Sequence, residues 1–232
     1  MSRPQLVLAC GLMCDARVYA PQRDALKSDY EILVVDFFGL DSIAAMAEKV
    51  LAVAGPKFSL AGHSMGGRVA MEAYARAPHR IERLALLDTA YHPRTNAEAE
   101  GRLKLVSLGF TQGMKAVADA WLPPMLAPAH RGDPALVDNL ADMIAGATPE
   151  IFERQQHALL NRPDHGPLLP SIACPTLCAT GRFDEWSPVS VHEHMAKQIP
   201  DAQLVVFETA GHMSTLETPD EMTGALAGLM RR

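Results

Sequence analysis

The sequence predicts an α/β protein built on a mostly parallel, doubly wound sheet, with one helical insertion. Short apolar runs alternate with helical segments from residue 6 to residue 88, and the alternation resumes after residue 163. Strand–helix alternation of this kind produces parallel sheets with right-handed connections. At 232 residues, the chain fits one domain with an insertion better than two independent domains.

Six aliphatic or β-branched runs predict the strands, at 6–9, 31–36, 58–61, 84–88, 176–179 and 204–207. Helices are predicted at 42–54, 68–77, 192–198 and 219–230. Ser42 is placed to cap the first of these helices. The run at 84–88 is apolar at nearly every position, which is typical of a strand covered on both faces.

The strand–helix alternation stops after Asp88. Residues 91–162 are helical in character, contain no convincing strand and are punctuated by prolines. We therefore expect a core formed by residues 1–90 and 163–232, interrupted by a helical insertion at 91–162.

The segment Gly62-His63-Ser64-Met65-Gly66 is the strongest chemical signal in the chain. A G-x-S-x-G pattern is only moderately specific alone, but here an apolar strand precedes it and an amphipathic helix follows it. Such a turn strains the serine backbone and holds the hydroxyl above the strand ends. The helix N-terminus adds partial positive charge where an oxyanion would form. Ser64 is therefore predicted to be a nucleophile.

A serine nucleophile needs a base, and the base needs an acid that orients it. Among nine histidines, His212 stands out because it directly follows the last predicted strand, at the same sheet edge as Ser64. His63 is adjacent to the serine and should point away from it. His192 and His194 lie on a predicted helix, where surface or partly buried histidines are expected.

The acid is predicted to be Asp184, with Asp88 as the alternative. Asp184 lies just past one predicted strand and Asp88 lies at the end of another. Both satisfy the chain order serine, acid, histidine, so order does not choose between them. A glycine-turn loop with an aspartate suits the role better, which favours Asp184. An oxyanion hole needs two donors, predicted to be the backbone N–H groups of Met65, after the nucleophile, and of Leu12, after the first strand.

The four cysteines form two equally spaced pairs, Cys10 with Cys14 and Cys174 with Cys178. A zinc site is one interpretation, but both pairs flank strand-like runs and lack a histidine at zinc-finger spacing. We expect four buried free thiols and no metal site. No organic cofactor is implied, because the predicted serine, histidine and aspartate supply both the nucleophile and the proton transfer.

Taken together, these segments resemble the α/β-hydrolase superfamily over nearly the whole chain. The motif at 62–67 matches its nucleophile elbow, residues 181–184 resemble its acid loop, and Gly211-His212-Met213 matches its histidine loop. The resemblance implies the α/β-hydrolase fold, with the insertion at 91–162 in the place of the helical cap that covers the active site. Cys10-Gly11 stands where the superfamily usually has His-Gly.

The resemblance and Ser64 imply a serine hydrolase that cleaves a carboxylic ester of a small or medium, mostly apolar substrate through an acyl-enzyme. Lactones, thioesters and carbon–carbon bonds are alternative targets on the same fold. The charges of the insertion are mixed in sign, without a basic cluster that would suggest an anionic group. A receptor-like ligand-binding module is the alternative outside enzymes, and the intact serine, acid and histidine disfavour it.

The net charge of −6 argues against a nucleic-acid partner, which needs a concentrated basic face. No apolar run reaches the ~18 residues of a membrane span, and the N-terminal apolar run is too short for a signal peptide. We therefore expect a cytoplasmic protein whose partner is a small-molecule substrate, with neither nucleic acid nor a membrane involved.

Overall fold

The computed structural model describes residues 3–232, which form a six-stranded sheet. The strands are β1 (Gln5–Ala9), β2 (Glu31–Val35), β3 (Phe58–His63), β4 (Ile81–Leu87), β5 (Thr176–Gly181) and β6 (Ala202–Phe207). All neighbouring strands are parallel, in the spatial order β2-β1-β3-β4-β5-β6. The predicted fold class is confirmed, and each predicted strand is present with small shifts of its ends.

Helices connect the strands and cover the sheet. They are α1 (Ala20–Leu26), α2 (Ile43–Val53), α3 (Met65–Arg76), α4 (Asn96–Gln112), α5 (Met114–Trp121), α6 (Pro134–Ala145), α7 (Pro149–Leu160), α8 (Val189–Gln198), α9 (Ser214–Glu217) and α10 (Pro219–Met230). Helix α1 packs against α10, and α2 packs against α3. The connection from β1 to β2 runs toward one edge of the sheet, whereas the later connections run toward the other edge. Because each crossover is right-handed, these two pairs of helices lie on opposite faces of the sheet. No helix within residues 3–232 combines the length and apolar character needed to cross a lipid bilayer.

The chain reverses its direction through the sheet at β1. Strand β2 lies on one side of β1 and β3 lies on the other. In doubly wound sheets, the loops that leave two such strands diverge at their carboxyl ends and leave a crevice there. Leu12 follows β1 and Ser64 follows β3, so the topology places both residues at this crevice.

Four helices, α4 to α7, lie between β4 and β5, inside the predicted insertion at 91–162. Thr95, Asp133 and Thr148 start three of them, and each side chain accepts a hydrogen bond from a backbone N–H of the first turn. Helix α4 contacts α5 and α7, and α5 contacts α6. The division into this insertion and a core of residues 1–90 and 163–232 remains an interpretation.

Helix α1 is missing from the sequence-based prediction. Gln22 and Leu26 lie on the buried face of this helix, and buried Val18 precedes it, but Gln22 interrupts the apolar pattern. The Gln22 side-chain amide donates hydrogen bonds to the carbonyl oxygens of Thr215 and Pro219, at 2.8 and 3.3 Å. A buried polar residue with distant partners therefore concealed the helix, because periodicity counts only apolar positions.

Two glycines let the turn between β3 and α3 pack closely against β1. A Cβ added to Gly66 would lie 2.1 Å from the Ala9 carbonyl oxygen, and one added to Gly62 would lie 2.1 Å from the Gly66 carbonyl oxygen. Helix α3 begins at Met65 rather than at residue 68 as predicted. Close packing of the turn thus outweighs the cost of about 1 kcal/mol for a glycine inside a helix.

We expect Gly66→Ala to lower the free energy of unfolding by about 3 kcal/mol or more, because the new Cβ can be accommodated only by moving backbone. Urea denaturation measures the effect. Gly224→Ala is the matched control, since Gly224 lies in α10 with open space around it. The control should be neutral or stabilising by about 0.5–1 kcal/mol. Equal stabilities of the two variants would contradict the close packing at Gly66.

Candidate active site

Ser64 occupies the turn between β3 and α3. Its φ of 55° and ψ of −115° lie outside the regions that side-chain-bearing residues usually adopt, and such strain persists only where the surroundings enforce it. The Ser64 N–H donates to the Leu87 carbonyl at 2.9 Å, and the Thr89 hydroxyl donates to the Ser64 carbonyl at 2.6 Å. Strand β4 and the loop after it therefore hold the serine at the N-terminus of α3.

The structure brings His212 and Asp184 together with Ser64. Ser64 Oγ lies 2.8 Å from His212 Nε2, and His212 Nδ1 lies 2.8 Å from Asp184 Oδ2. Because the Nδ1–H group donates to the carboxylate, Nε2 is the acceptor for the serine hydroxyl. In this arrangement the imidazole can take the Ser64 proton while the Asp184 carboxylate stabilises the imidazolium.

Backbone N–H groups hold Asp184 in its ionised form. Asp184 Oδ1 accepts hydrogen bonds from the N–H groups of Trp186 and Ser187, both at 2.9 Å. Burial alone would raise the pKa of Asp184, but the charge and hydrogen bond of His212, together with these amides, lower it below its usual value. The carboxylate is therefore charged beside His212 at neutral pH.

Asp88, the alternative acid, makes other contacts. Its buried carboxylate accepts hydrogen bonds from the backbone N–H of the last residue of β5 and from the Ser214 hydroxyl. Within residues 3–232 it makes no hydrogen bond to His212, and the histidine nitrogen within ion-pair range is His63 Nε2, at 3.6 Å. Burial and then the charge of Asp184 raise the pKa of Asp88 well above its usual value. The geometry thus favours Asp184.

The other histidines singled out from the sequence have structural contacts. The His63 Nε2–H group donates to the His212 carbonyl at 2.8 Å, and burial lowers the pKa of His63 to about 4. His192 is fully buried rather than at or near the surface, and this burial lowers its pKa to about 4. His194 stacks on Tyr91 with ring centroids 5.2 Å apart. His63 and His192 are therefore neutral at physiological pH.

Leu12 and Met65, the predicted oxyanion donors, line one cavity with Ser64. In the described part of the chain, neither the Leu12 nor the Met65 backbone N–H donates a hydrogen bond, so both are available to a ligand. Met13 has a φ of 59°, and its N–H donates to the buried Gln155 side chain of α7 at 2.8 Å. The insertion thereby holds the loop after β1 in place.

The cavity at Ser64 has a volume of about 470 Å³, within the range of small-molecule sites. Trp121 of α5 stacks on Trp186, with ring centroids 5.6 Å apart, and Trp186 lies 5.0 Å from the His212 ring. Much of the remaining wall is apolar and comes from the insertion: Leu105, Leu122, Met125, Leu140, Met143, Ile144 and Leu159. An apolar group can therefore lie next to the serine.

Glu217 joins the histidine loop to the insertion. Its Oε1 accepts hydrogen bonds from the N–H groups of Gly211 and Met213, at 2.9 and 3.1 Å. Its Oε2 accepts from the Ala127 N–H at 2.8 Å and from His130 Nδ1–H at 3.0 Å. The sequence did not identify this residue, because an acid in a short helix carries no signal of its distant partners.

We expect Glu217→Gln to lower the free energy of unfolding by about 2–3 kcal/mol, since an amide nitrogen would face backbone N–H groups and leave them unpaired. The value of kcat should also fall, because those groups flank His212. Urea denaturation and ester turnover measure the two effects. Glu221→Gln, at an exposed position of α10, is the matched control. A Glu217→Gln protein as stable and active as this control would refute the role.

The charge state of His212 predicts how activity depends on pH. Burial lowers the pKa of His212, but the charge and hydrogen bond of Asp184 outweigh burial and raise it above 6.5. Protonated His212 cannot accept the serine proton, so kcat/KM should fall as the pH drops, with a midpoint above 6.5. A midpoint near 4, where His63 and His192 titrate, would contradict His212 as the base. Initial rates from pH 3.5 to 9 measure it.

All four cysteines are free thiols. Cys10, Cys14 and Cys178 are buried, whereas Cys174 is only half-buried, which corrects the prediction of four buried thiols. Burial raises the pKa of Cys14 and of Cys178 to about 12, so both are protonated at neutral pH. Among residues 3–232, no group of three or more His, Cys, Asp and Glu side chains is placed to hold a metal ion.

In this site a serine on a strained strand-to-helix turn is hydrogen-bonded to a histidine, and the histidine is hydrogen-bonded to a buried aspartate. The α/β-hydrolases share this arrangement at the edge of a parallel sheet. The sequence profile of the alpha/beta hydrolase family matches residues 6–225. The chain therefore belongs to this family, and it is a hydrolase of the α/β fold.

Similar proteins include two solved structures and one curated relative. The enol-lactonase from Burkholderia xenovorans LB400 has a TM-score of 0.91 and 26% identity, covering 100% of this chain and 93% of that one. A thermophilic esterase from Thermogutta terrifontis has a TM-score of 0.89 and 29% identity, covering 99% and 90%. A Pseudomonas syringae pv. syringae (strain B728a) protein with the provisional name carbamate hydrolase RutD is 27% identical, covering 98% of this chain and 93% of its own.

Proposed function

We propose that the protein hydrolyses a carboxylic ester of a small or medium, mostly apolar substrate through an acyl-enzyme on Ser64. The observation that carries the proposal is the pair of 2.8 Å contacts that link Ser64 Oγ to His212 and His212 to Asp184. Positioned groups of this kind convert a weak serine nucleophile into an effective one. The apolar cavity walls favour a substrate whose reacting group is flanked by hydrocarbon.

In the first half of the reaction, Ser64 Oγ attacks the carbonyl carbon of the ester while His212 Nε2 takes the hydroxyl proton. The carbonyl oxygen becomes an oxyanion and accepts hydrogen bonds from the backbone N–H groups of Leu12 and Met65. As the tetrahedral intermediate collapses, the bond to the alcohol oxygen breaks, and His212 gives its proton to that oxygen. The alcohol leaves, and the acyl group remains on Ser64.

In the second half, a water molecule replaces the alcohol beside His212. The imidazole takes a proton from the water as its oxygen attacks the acyl carbon, and the bond to Ser64 Oγ then breaks. The proton on His212 returns to Ser64, and the carboxylic acid is released. Asp184 stays ionised throughout and stabilises the imidazolium in each half.

Lactone hydrolysis is the second candidate, supported by the likeness to the Burkholderia enol-lactonase. A lactone is a cyclic ester, so the same attack on Ser64 opens the ring and leaves the alcohol attached to the acyl group. A panel of p-nitrophenyl esters, thioesters and five- and six-membered lactones tests both candidates. The proposal expects turnover of short and medium linear esters, and a preference for lactones would replace it with the second candidate.

A receptor-like binding module is the alternative outside enzymes. The same panel distinguishes it, because a binding module would bind ligands in the cavity without releasing p-nitrophenol. If the folded protein hydrolyses no ester, thioester or lactone, the proposed function is wrong. Ser64→Ala run in parallel identifies hydrolysis that does not depend on the serine.

A further inference from the structure

Arginines from three separate segments meet at one part of the cavity. Arg68 lies on α3, Arg102 lies on α4 and Arg162 follows α7, and all three line the cavity together with Glu98. Arg68 and Arg162 both donate to the carbonyl oxygen of His92, at 2.9 and 3.1 Å. Three guanidinium groups and one carboxylate, that of Glu98, therefore line this part of the cavity. The sequence of the insertion shows no basic cluster by itself, because Arg68 belongs to α3, which lies outside the insertion.

Two of these arginines occupy the carboxylate of Glu98. Arg162 binds it with both terminal nitrogens, at 2.6 and 2.7 Å, and Arg102 Nε donates to it at 2.8 Å. Burial raises the pKa of Glu98, but the hydrogen bonds of Arg162 and the charge of Arg102 outweigh it and lower the pKa to about 2. Glu98 is therefore ionised, and Arg102 and Arg162 share its single negative charge.

Arg68 has no such partner. Among residues 3–232, no carboxylate lies within 4.0 Å of its guanidinium, although the residue is only 8% exposed. Its Nη1 donates to His92, whereas Nε and Nη2 donate no hydrogen bond within the described chain and are not sealed from solvent. Arg68 lines the cavity, so a ligand there can approach its side chain.

An unpaired cation in a buried position is unfavourable, and it becomes favourable when an anion pairs with it. A guanidinium presents its N–H groups as a planar fork that matches the two oxygens of a carboxylate. The pKa of Arg68 is lowered by burial first and by the charge of Arg162 second. A negative group that enters the cavity offsets both effects, because its charge stabilises the charged guanidinium.

The position of Arg68 relative to Ser64 sets the length of the ligand. Arg68 is four residues beyond Ser64 and lies in the first turns of α3, and both residues line the same cavity. Four residues of helix correspond to a rise of about 6 Å. A short aliphatic chain can therefore connect a carbonyl at Ser64 with an anion at Arg68, passing along the apolar wall.

We propose that Arg68 binds a carboxylate of the substrate, so that the ester cleaved at Ser64 carries a carboxylate at the far end of a short aliphatic chain. This inference rests on the proposed function, because it names the substrate class of the same site. It makes Arg68 a specificity-determining residue that contacts substrate away from the reacting atoms.

The first experiment compares mono-p-nitrophenyl glutarate with p-nitrophenyl pentanoate, an uncharged ester of the same chain length. We expect kcat/KM for the carboxylate ester, corrected for its spontaneous hydrolysis by its own carboxylate, to exceed that for the neutral ester by about 10-fold to 100-fold at low salt. The preference should appear mainly in KM and weaken as ionic strength rises. A wild-type protein without this preference would overturn the proposal.

Variants assign the preference to Arg68. Arg68→Met should remove the preference, and Arg68→Lys should restore part of it, because lysine keeps the charge without the fork. Arg94→Met is the matched control, since Arg94 is exposed and also donates to a backbone carbonyl, that of Leu160, but does not line the cavity. Loss of the preference in Arg94→Met to the same extent as in Arg68→Met would refute the assignment.

A binding measurement separates this proposal from the proposed function. Calorimetry with glutarate and with uncharged glutaramide, using the Ser64→Ala protein, needs no turnover. Glutarate should bind more tightly than glutaramide by about 10-fold or more, and Arg68→Met should abolish the difference. Binding of glutarate without hydrolysis of any ester would support the carboxylate site and reject the hydrolase function. Ester hydrolysis without a preference for the carboxylate ester would support the hydrolase function and reject the carboxylate site.

Discussion

Replacing Ser64 with alanine should lower kcat for ester hydrolysis by roughly 10⁶-fold, the loss seen when the nucleophile of a serine hydrolase is removed. No other group can take its place, because His212 Nε2 is directed at Ser64 Oγ, 2.8 Å away, and the acyl-enzyme forms on that oxygen. Some catalysis above the rate in water should remain, from the oxyanion donors and substrate binding. Stopped-time assays with purified, metal-free protein measure the loss.

Ser59→Ala is the matched control for this substitution. Ser59 lies on β3, the strand that leads to Ser64, and its buried hydroxyl has no hydrogen-bond partner within residues 3–232. Removing that hydroxyl should leave kcat and stability close to those of the wild type. If Ser64→Ala kept more than about one hundredth of the wild-type kcat while Ser59→Ala was normal, an acyl-enzyme on Ser64 could not be the main route.

Replacing Asp184 with asparagine should lower kcat by about 10⁴-fold, because the amide can no longer fix the tautomer of His212 or stabilise its protonated form. The protein should stay folded, since asparagine has the same shape. The midpoint of the pH profile should also move downward, because the Asp184 charge and hydrogen bond are what raise the pKa of His212 against burial. Steady-state rates between pH 5 and 9 test both expectations.

Asp88→Asn is the decisive comparison for this substitution. Burial and the nearby charge of Asp184 already raise the pKa of Asp88, so replacing it with an uncharged group changes less. We expect kcat to fall by no more than about 10-fold, since Asp88 contacts His63 and Ser214 rather than the His212 side chain. A loss in Asp88→Asn that equals or exceeds the loss in Asp184→Asn would reverse the assignment of the acid.

The sheet could be predicted from the sequence because strands buried on both faces leave continuous apolar runs. The elbow could also be predicted, since its glycines, its serine and the flanking strand and helix are consecutive. Where helices depend on tertiary contacts, prediction was weaker. Helix α1 was not predicted because its buried Gln22 hydrogen-bonds to the distant residues Thr215 and Pro219. The predicted start of α3 was too late in the chain because Gly66 and Gly67 are poor helix formers.

Within the site, the sequence predicted the residues that follow the end of a strand. It did not predict the residues whose role depends on contacts with distant parts of the chain. Glu217 and Gln155 each bind a loop that is distant in sequence, and no local pattern reports such a contact. The arginine cluster could not be predicted from the sequence for the same reason. Arg68, Arg102 and Arg162 belong to separate segments, and only the folded structure brings their charges to one cavity.

The central claim is that Ser64 forms a covalent intermediate, and mass spectrometry of the protein after reaction with a fluorophosphonate tests it most directly. A fluorophosphonate reacts with a serine activated in this way and leaves a stable adduct. We predict one adduct per chain, mapped by proteolysis to the peptide that contains Ser64 and absent from Ser64→Ala. An unlabelled wild-type protein that is folded, or an adduct on a residue other than Ser64, would contradict the claim.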